Sequence, residues 1–510
     1  MKSKNIVLTV LSILFLLLMG LLFLQPALFV SIIGFQKYSL VGGVLGSPFV
    51  GLANITQILQ TSQLVRILIN TLTLQFFAMI IGAAYVFAAV YAISVQKNGK
   101  LMTILAILFA LPSMLPGNAY MIMLLEFLPV QVLTRSSVLL QLIAGAEIGL
   151  RFSAVLVIGA LFTKGAATQK AGKFTLLYVS MRLLSILSLD TGFLNNLSNP
   201  LTYEHLDTYN TYSYRTGLMQ SAFSLYGAGY VVRLLLQLLP AILGLFLLLL
   251  LFKANPNPKL HTRQADVSPT SDTPQMAASS KPNTSEQIQK AVSPFVLTGI
   301  LPGLLFLFTL IAGADGMLAL DQPLVQQAYV NGLLLALLSS ALVISLGLVW
   351  AKAASCAGAL GICFTAFFVF ISDNILGHYI ISHSLGLSNS LAGVLLQNLH
   401  LIVPAALIGM YVLKESRQLS CIPALLLSGL GLGFAWFWGD HMTALVTLRS
   451  TVKYPLSLMM QQLINGRDAV DASANGQTLT AVPYILIPVI VASVCIAVSS
   501  LCLKREQQSL

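Results

Sequence analysis

The sequence predicts an all-α polytopic membrane protein with about 12 transmembrane helices, in two halves of six. Three observations carry that expectation. Hydrophobic residues make up 57% of the chain and charged residues 8%, where a soluble domain carries roughly 25% charged residues. Apolar runs long enough to cross the hydrocarbon core recur from end to end, each needing about 20 residues. One polar run, 253–290 (KANPNPKLHTRQADVSPTSDTPQMAASSKPNTSEQIQK), interrupts them near the middle of the 510 residues. It is rich in Pro, Ser, Thr, Asn, Gln and Lys. It holds too little apolar surface to offset its chain entropy, so it reads as a disordered cytoplasmic linker. The expected domains are therefore a first membrane half, 1–252, the linker 253–290, and a second membrane half, 291–510.

In the first half the expected spans are 7–30, 67–95, 101–127, 138–162, 174–189 and 229–252. The first follows Met-Lys-Ser-Lys-Asn. Its apolar run, 6–33, is too long for the core of a signal peptide and lacks a small-residue cleavage motif, so it reads as a retained helix. Basic residues favour cytoplasmic loops. Lys2 and Lys4 precede the first span, Lys97 and Lys100 separate the second from the third, Lys164, Lys170 and Lys173 separate the fourth from the fifth, and Lys253 follows the sixth. That alternation predicts a cytoplasmic N-terminus and places two long loops, 31–66 and 190–228, outside. In the second half the expected spans are 295–312, 332–351, 360–381, 390–413, 422–438 and 482–503. Lys352, Lys414, Arg417, Lys504 and Arg505 keep the same alternation and put the C-terminus on the cytoplasmic side. The net charge of +11 is thus assigned to orientation and to lipid contact, not to nucleic acid.

Charged groups at membrane depth are costly and mark either packing or function. Glu147 and Arg151 are four residues apart on one helix face and can pair. Such a pair either fixes helix packing or lines a substrate path, and the sequence leaves both open. Asp373, Asn374 and His378 are expected to share one face of the span 360–381, with the same two readings. Arg182 falls within the fifth span, and Arg233 is expected to snorkel from the end of the sixth. The five cysteines, Cys356, Cys363, Cys421, Cys495 and Cys502, form no CxxC and no Cys/His set at metal spacing, so neither a disulfide framework nor a metal site is expected. No cofactor is implied. No HExxH, GxSxG or phosphate loop is present, so an enzyme is not expected and any ATP-driven work must come from another chain.

Several stretches resemble a known family. Phe49-Val50-Gly51-Leu52, then Asn54, then Asn70-Thr71-Leu72, look like the opening of a carbohydrate ABC-transporter permease subunit. The run 188–229, SLDTGFLNNLSNPLTYEHLDTYNTYSYRTGLMQSAFSLYGAG, is similar to the segment before the last helix in the oligosaccharide and polysaccharide branch of that family. In the second half, 384–398 resembles the partner subunit's segment before its fourth helix. Trp438-Gly439-Asp440 and Tyr454-Pro455-Leu456 resemble motifs that follow the fifth. The resemblance implies two permease subunits fused in one chain, with the type I importer fold, in a bacterial cytoplasmic membrane. It also implies cytoplasmic ATP-binding subunits and an extracytoplasmic sugar-binding lipoprotein as partners. One departure bears on the function. The family couples to its ATPases through an EAA loop between the fourth and fifth helices of each half. Here the corresponding segments are 163–173 (TKGAATQKAGK) and 414–421 (KESRQLSC), neither with that motif. Lys164, Lys170, Lys173, Lys414 and Arg417 are the coupling-loop candidates that remain. Two expectations follow: a fused permease for a sugar or glycan-derived solute, or a permease-like scaffold, sensor or assembly partner that no longer couples to an ATPase.

Overall fold

The computed structural model describes residues 2–119, 137–188, 191–197, 202–253, 323–372, 374–416, 421–467 and 482–508. Six long helices of the first half are α1 (Lys2–Gly34), α2 (Leu64–Val95), α3 (Gly99–Met114), α4 (Ser137–Gly159), α5 (Ala167–Leu184) and α6 (Phe223–Lys253). The second half contributes α7 (Pro323–Cys356), α8 (Ala359–Ile371), α9 (Ile375–Ser384), α10 (Leu391–Asn398), α11 (Ile402–Ser416), α12 (Ile422–Gly439) and α13 (Val482–Gln508). Among the described residues all regular elements are helical, apart from one isolated bridge between Gln36 and Phe49.

Among the described residues eight helical stretches are long and apolar enough to cross a membrane, or nine if the bent pair α8–α9 counts as one span. The expected twelve are therefore not all seen. The run 295–312 lies outside the described residues, as do 120–136, which hold the end of the third expected span, and the expected linker beyond Lys253. Helix α3 is short, and α5 carries Lys170, Lys173 and Arg182 among its apolar residues. The outward faces suit a lipid environment: Leu21, Leu239, Leu337 and Leu501 are all more than half exposed, a pattern that water would not support on this scale.

The packing of the first half recurs in the second. Helix α2 packs on α4 and α5, and α7 packs on α11 and α12. Helix α5 packs on α6, and α12 on α13. Across the halves the contacts exchange in pairs. Helix α6 meets α8 while α13 meets α3; α5 meets α8 while α12 meets α3; and α4 meets α11 between them. Lipid supplies little hydrophobic drive between helices, so close approach rests on small residues. Gly145 and Gly149, one turn apart on α4, press on α2: a Cβ at Gly149 would stand 2.5 Å from the Ala78 carbonyl oxygen. At the α1–α6 crossing a Cβ at Gly227 would stand 2.5 Å from Gly34 N.

Three expectations are corrected. The span expected at 360–381 is two helices, bent by 86° where they meet. Asn374 sits at the break with φ −154° and ψ 76°, and its side chain accepts a hydrogen bond from Gly377 N. Asn374 and His378 therefore do not share a helix face; the Asn side chain caps the second helix instead of extending the first. Asp373 lies outside the described residues. The first expected basic loop is mostly helix, because α5 begins at Ala167, where Ala, Gln and Lys favour helix. Arg233 does not snorkel: it is buried, with its guanidinium 5.0 Å from the Tyr230 ring centre.

Candidate functional site

Between the two halves lies a cavity of about 230 Å³. Gly117, Ser188 and Gly192 contribute to its wall, and most of the rest comes from five places. Helix α4 gives Ile148, Arg151 and Phe152, and α5 gives Met181, Arg182 and Ser185. The end of α8 and the start of α9 give Val369, Ser372 and Ile375. His400, Leu401 and Pro404 come from the turn between α10 and α11 and the start of α11. Trp436 and Gly439 close the ring from α12, and Asp440 to Thr443 from the turn after it.

The polar groups of this wall are held in place. Arg151 Nη1 stands 3.9 Å from Glu147 Oε1, and the Arg151 guanidinium lies 4.5 Å from the Trp436 ring centre. A cation over a Trp face is attracted by the ring quadrupole, so an arginine of the first half is seated on an aromatic of the second. Arg182 Nη2 donates to Gln75 Oε1 and lies 5.6 Å from the Phe152 ring centre. Asp440 accepts from Met442 N at 3.0 Å and from the Thr443 hydroxyl, which fixes its carboxylate at the start of the short helix Met442–Thr447. The wall offers guanidinium and hydroxyl donors beside carboxylate and imidazole acceptors, a set suited to a hydroxyl-bearing solute.

A second cavity of about 170 Å³ adjoins the first on the side of the basic loops. Phe152, Leu401, Pro404 and Trp436 line both. Below them the wall is apolar, with Val155 and Ile158 from α4, Ile344 and Leu348 from α7, Ile408 and Val412 from α11, and Leu425 and Leu432 from α12.

Of the site residues expected from sequence, Arg151 lines the polar cavity. Glu147 is buried one turn away on the same helix. Asn374 does not face the cavity: it donates to the Pro26 carbonyl oxygen at 3.0 Å and ties α9 to α1. His378 is buried with its ring 6.0 Å from that of His400, which does line the cavity. Arg182 and His400 arrive there from elements distant in sequence from the Trp436–His441 stretch, and no sequence spacing links the three.

The coupling-loop candidates are placed differently from one another. Lys164 is exposed in the connection 160–166. Lys170 donates to the Thr163 carbonyl oxygen at 2.8 Å, and burial at the start of α5 lowers its pKa to about 8. Lys173 on α5 pairs with Glu415 on α11, 3.0 and 3.1 Å from its two oxygens. Lys414 donates to the carbonyl oxygens of Leu251 and Phe252 at the end of α6. Arg417 lies outside the described residues. At the opposite end, Arg215 makes a two-pronged contact with Asp207, at 3.1 and 2.7 Å, and lies over the Tyr203 ring.

No group of three or more His, Cys, Asp or Glu able to hold a metal occurs among the described residues. No protein-family model, curated protein or solved structure matches the chain.

Proposed function

We propose that the chain is the membrane-spanning permease of a solute transporter, whose two halves flank a path for a small, hydroxyl-rich solute such as a sugar or a glycan fragment. The observation that carries this reading is the polar cavity between the halves, with Arg151, Arg182, His400 and Asp440 in its wall. Ionisable groups at membrane depth that face a cavity are the usual mark of a solute path. At about 230 Å³ the cavity is smaller than the ~300–1,000 Å³ that holds drug-sized ligands, which favours a small solute. Twelve spans, cytoplasmic termini and a bacterial cytoplasmic membrane belong to the same reading. So do cytoplasmic ATP-binding subunits and an extracytoplasmic sugar-binding lipoprotein, both proposed from the sequence resemblance.

A second reading, a permease-like scaffold without ATPase coupling, is favoured by one observation. The connection 160–166 contains no helix, and the lysines after it bond within the chain. Pull-down from native membranes in mild detergent, followed by solute uptake in reconstituted vesicles, separates the two. Stoichiometric recovery of an ATPase, with ATP-dependent uptake of a sugar, is the expected outcome. Recovery of envelope proteins alone, with no uptake, would assign the chain to the scaffold class.

A further inference from the structure

We infer that the substrate is an amphiphile: a hydroxyl-bearing head in the polar cavity and a single hydrocarbon chain in the apolar cavity beside it. This rests on the permease reading and names the substrate class that both cavities together would take. The two spaces share Phe152, Leu401, Pro404 and Trp436, so a chain leaving the polar cavity between Phe152 and Trp436 enters the apolar one. From Trp436 to Leu425 the apolar wall follows α12 for about 16 Å. A free sugar has no use for such a wall, whereas a hydrocarbon chain leaves water for it favourably.

The apolar space has a specific origin in the sequence. Helices α5 and α12 occupy corresponding places in the two halves, and each is 18 residues long. Where α5 carries Phe174, α12 carries Gly429. Phe174 fills the space between α5 and α11, with its ring 5.1 Å from that of Tyr411. In the second half Gly429 supplies no ring; a Cβ there would stand 2.8 Å from Ile344 Cγ2 of α7, so a smaller aliphatic group sits where the ring would be. Ser428 beside it and Gly433 one turn on are also small, and the cavity is lined by all three together with Ile344. The direction fits as well. The polar cavity lies toward the end of α12 that carries Asp440, and the apolar one toward its basic-loop end. An occupant therefore lies parallel to a lipid whose head is at the Asp440 side.

The test uses the full chain in lipid nanodiscs and a dodecyl glucoside carrying a diazirine in its tail. Photolabelling is expected to saturate at one probe per chain, on peptides that contain Ile344, Leu425 and Leu432. Unlabelled dodecyl glucoside should compete and methyl glucoside should not. Ser428→Phe, which fills the apolar cavity, should cut labelling by about fivefold or more, since forcing a chain into a filled site costs about 1–3 kcal/mol. Should that variant not reach the membrane, Leu425→Trp makes the same test. Non-saturable labelling spread over outward residues such as Leu239 and Leu337, or labelling unchanged by both variants, would overturn the inference. Methyl glucoside uptake without saturable tail labelling would leave the permease reading standing and remove the tail. Saturable tail labelling without uptake of any solute would keep the amphiphile site and remove transport.

Discussion

Asn70 and Asn331 hold corresponding positions in α2 and α7, and each ties its helix to the chain between the fifth and sixth helices of its half. Asn70 Nδ2 donates to the carbonyl oxygens of Glu204 and Asp207 at 3.1 and 3.2 Å. Asn331 Nδ2 donates to those of Val452 and Tyr454 at 2.9 and 3.3 Å. Both side chains are buried, and a buried carbonyl that loses its donor pays its desolvation cost. Asn70→Ala and Asn331→Ala should each cost about 1–3 kcal/mol, measured by thermal unfolding in detergent. A loss in one half only would show that the two contacts are not equivalent. Lys170 gives a pH signature. Its folded pKa is lowered to about 8 from 10.5 by burial, so the folded state releases its proton first. Between those values the unfolded chain binds more protons, and stability rises with pH. Below about 8 both states are protonated and the penalty is fully present. Lys170→Met should flatten the rise in thermal stability between pH 8 and 10.5; a rise of unchanged size would assign it to another group.

At the scale of helices, apolar runs marked about half of the expected spans to within a few residues, because lipid demands continuous apolar length and the sequence must supply it. What the runs hid was the break after Ile371. Its flanks are apolar on both sides, and the cause is one polar side chain, Asn374, bonding to Gly377 N and Pro26 O. Hydropathy cannot register a hydrogen bond to a helix distant in sequence. The basic residues were legible as loop markers but not as helix joints. Lys173 and Glu415 join α5 to α11 with side chains 13% and 5% exposed. Breaking such a pair leaves a buried charge, while removing both partners does not. Lys173→Met and Glu415→Met alone should each cost about 3 kcal/mol, and the double variant clearly less than their sum. Additive losses in the unfolding cycle would show that the pair carries no coupling.

For the whole molecule, the site was partly legible. The spacing of Glu147 and Arg151 exposed one wall of the cavity, since both lie on one helix. Arg182 meets Trp436 and His400 around one cavity only because the halves pack face to face, and no local pattern encodes that. How firmly the halves hold each other follows from the bonds that cross between them. Asn118 donates to Ser457 O at 2.9 Å, Tyr230 to Ile371 O at 2.9 Å, and Gln237 to Phe370 O at 2.9 Å. Asn374 reaches Pro26 O, and Lys173 reaches Glu415. In lipid, apolar contact between helices adds little beyond packing, so polar bonds of this kind carry a larger share of the association. They are spread from one end of the bundle to the other and involve α1, α5, α6 and the segment just after α3 in the first half. The covalent connection is then not needed to keep the halves together. Expressed as two chains, 1–253 and 291–510, they should copurify in mild detergent at equal stoichiometry. The yield should fall when Asn374→Ala is combined with Glu415→Gln. Separation of the unmutated halves on size-exclusion chromatography would mean instead that 254–290 supplies the proximity and the bonds across the interface only set its geometry.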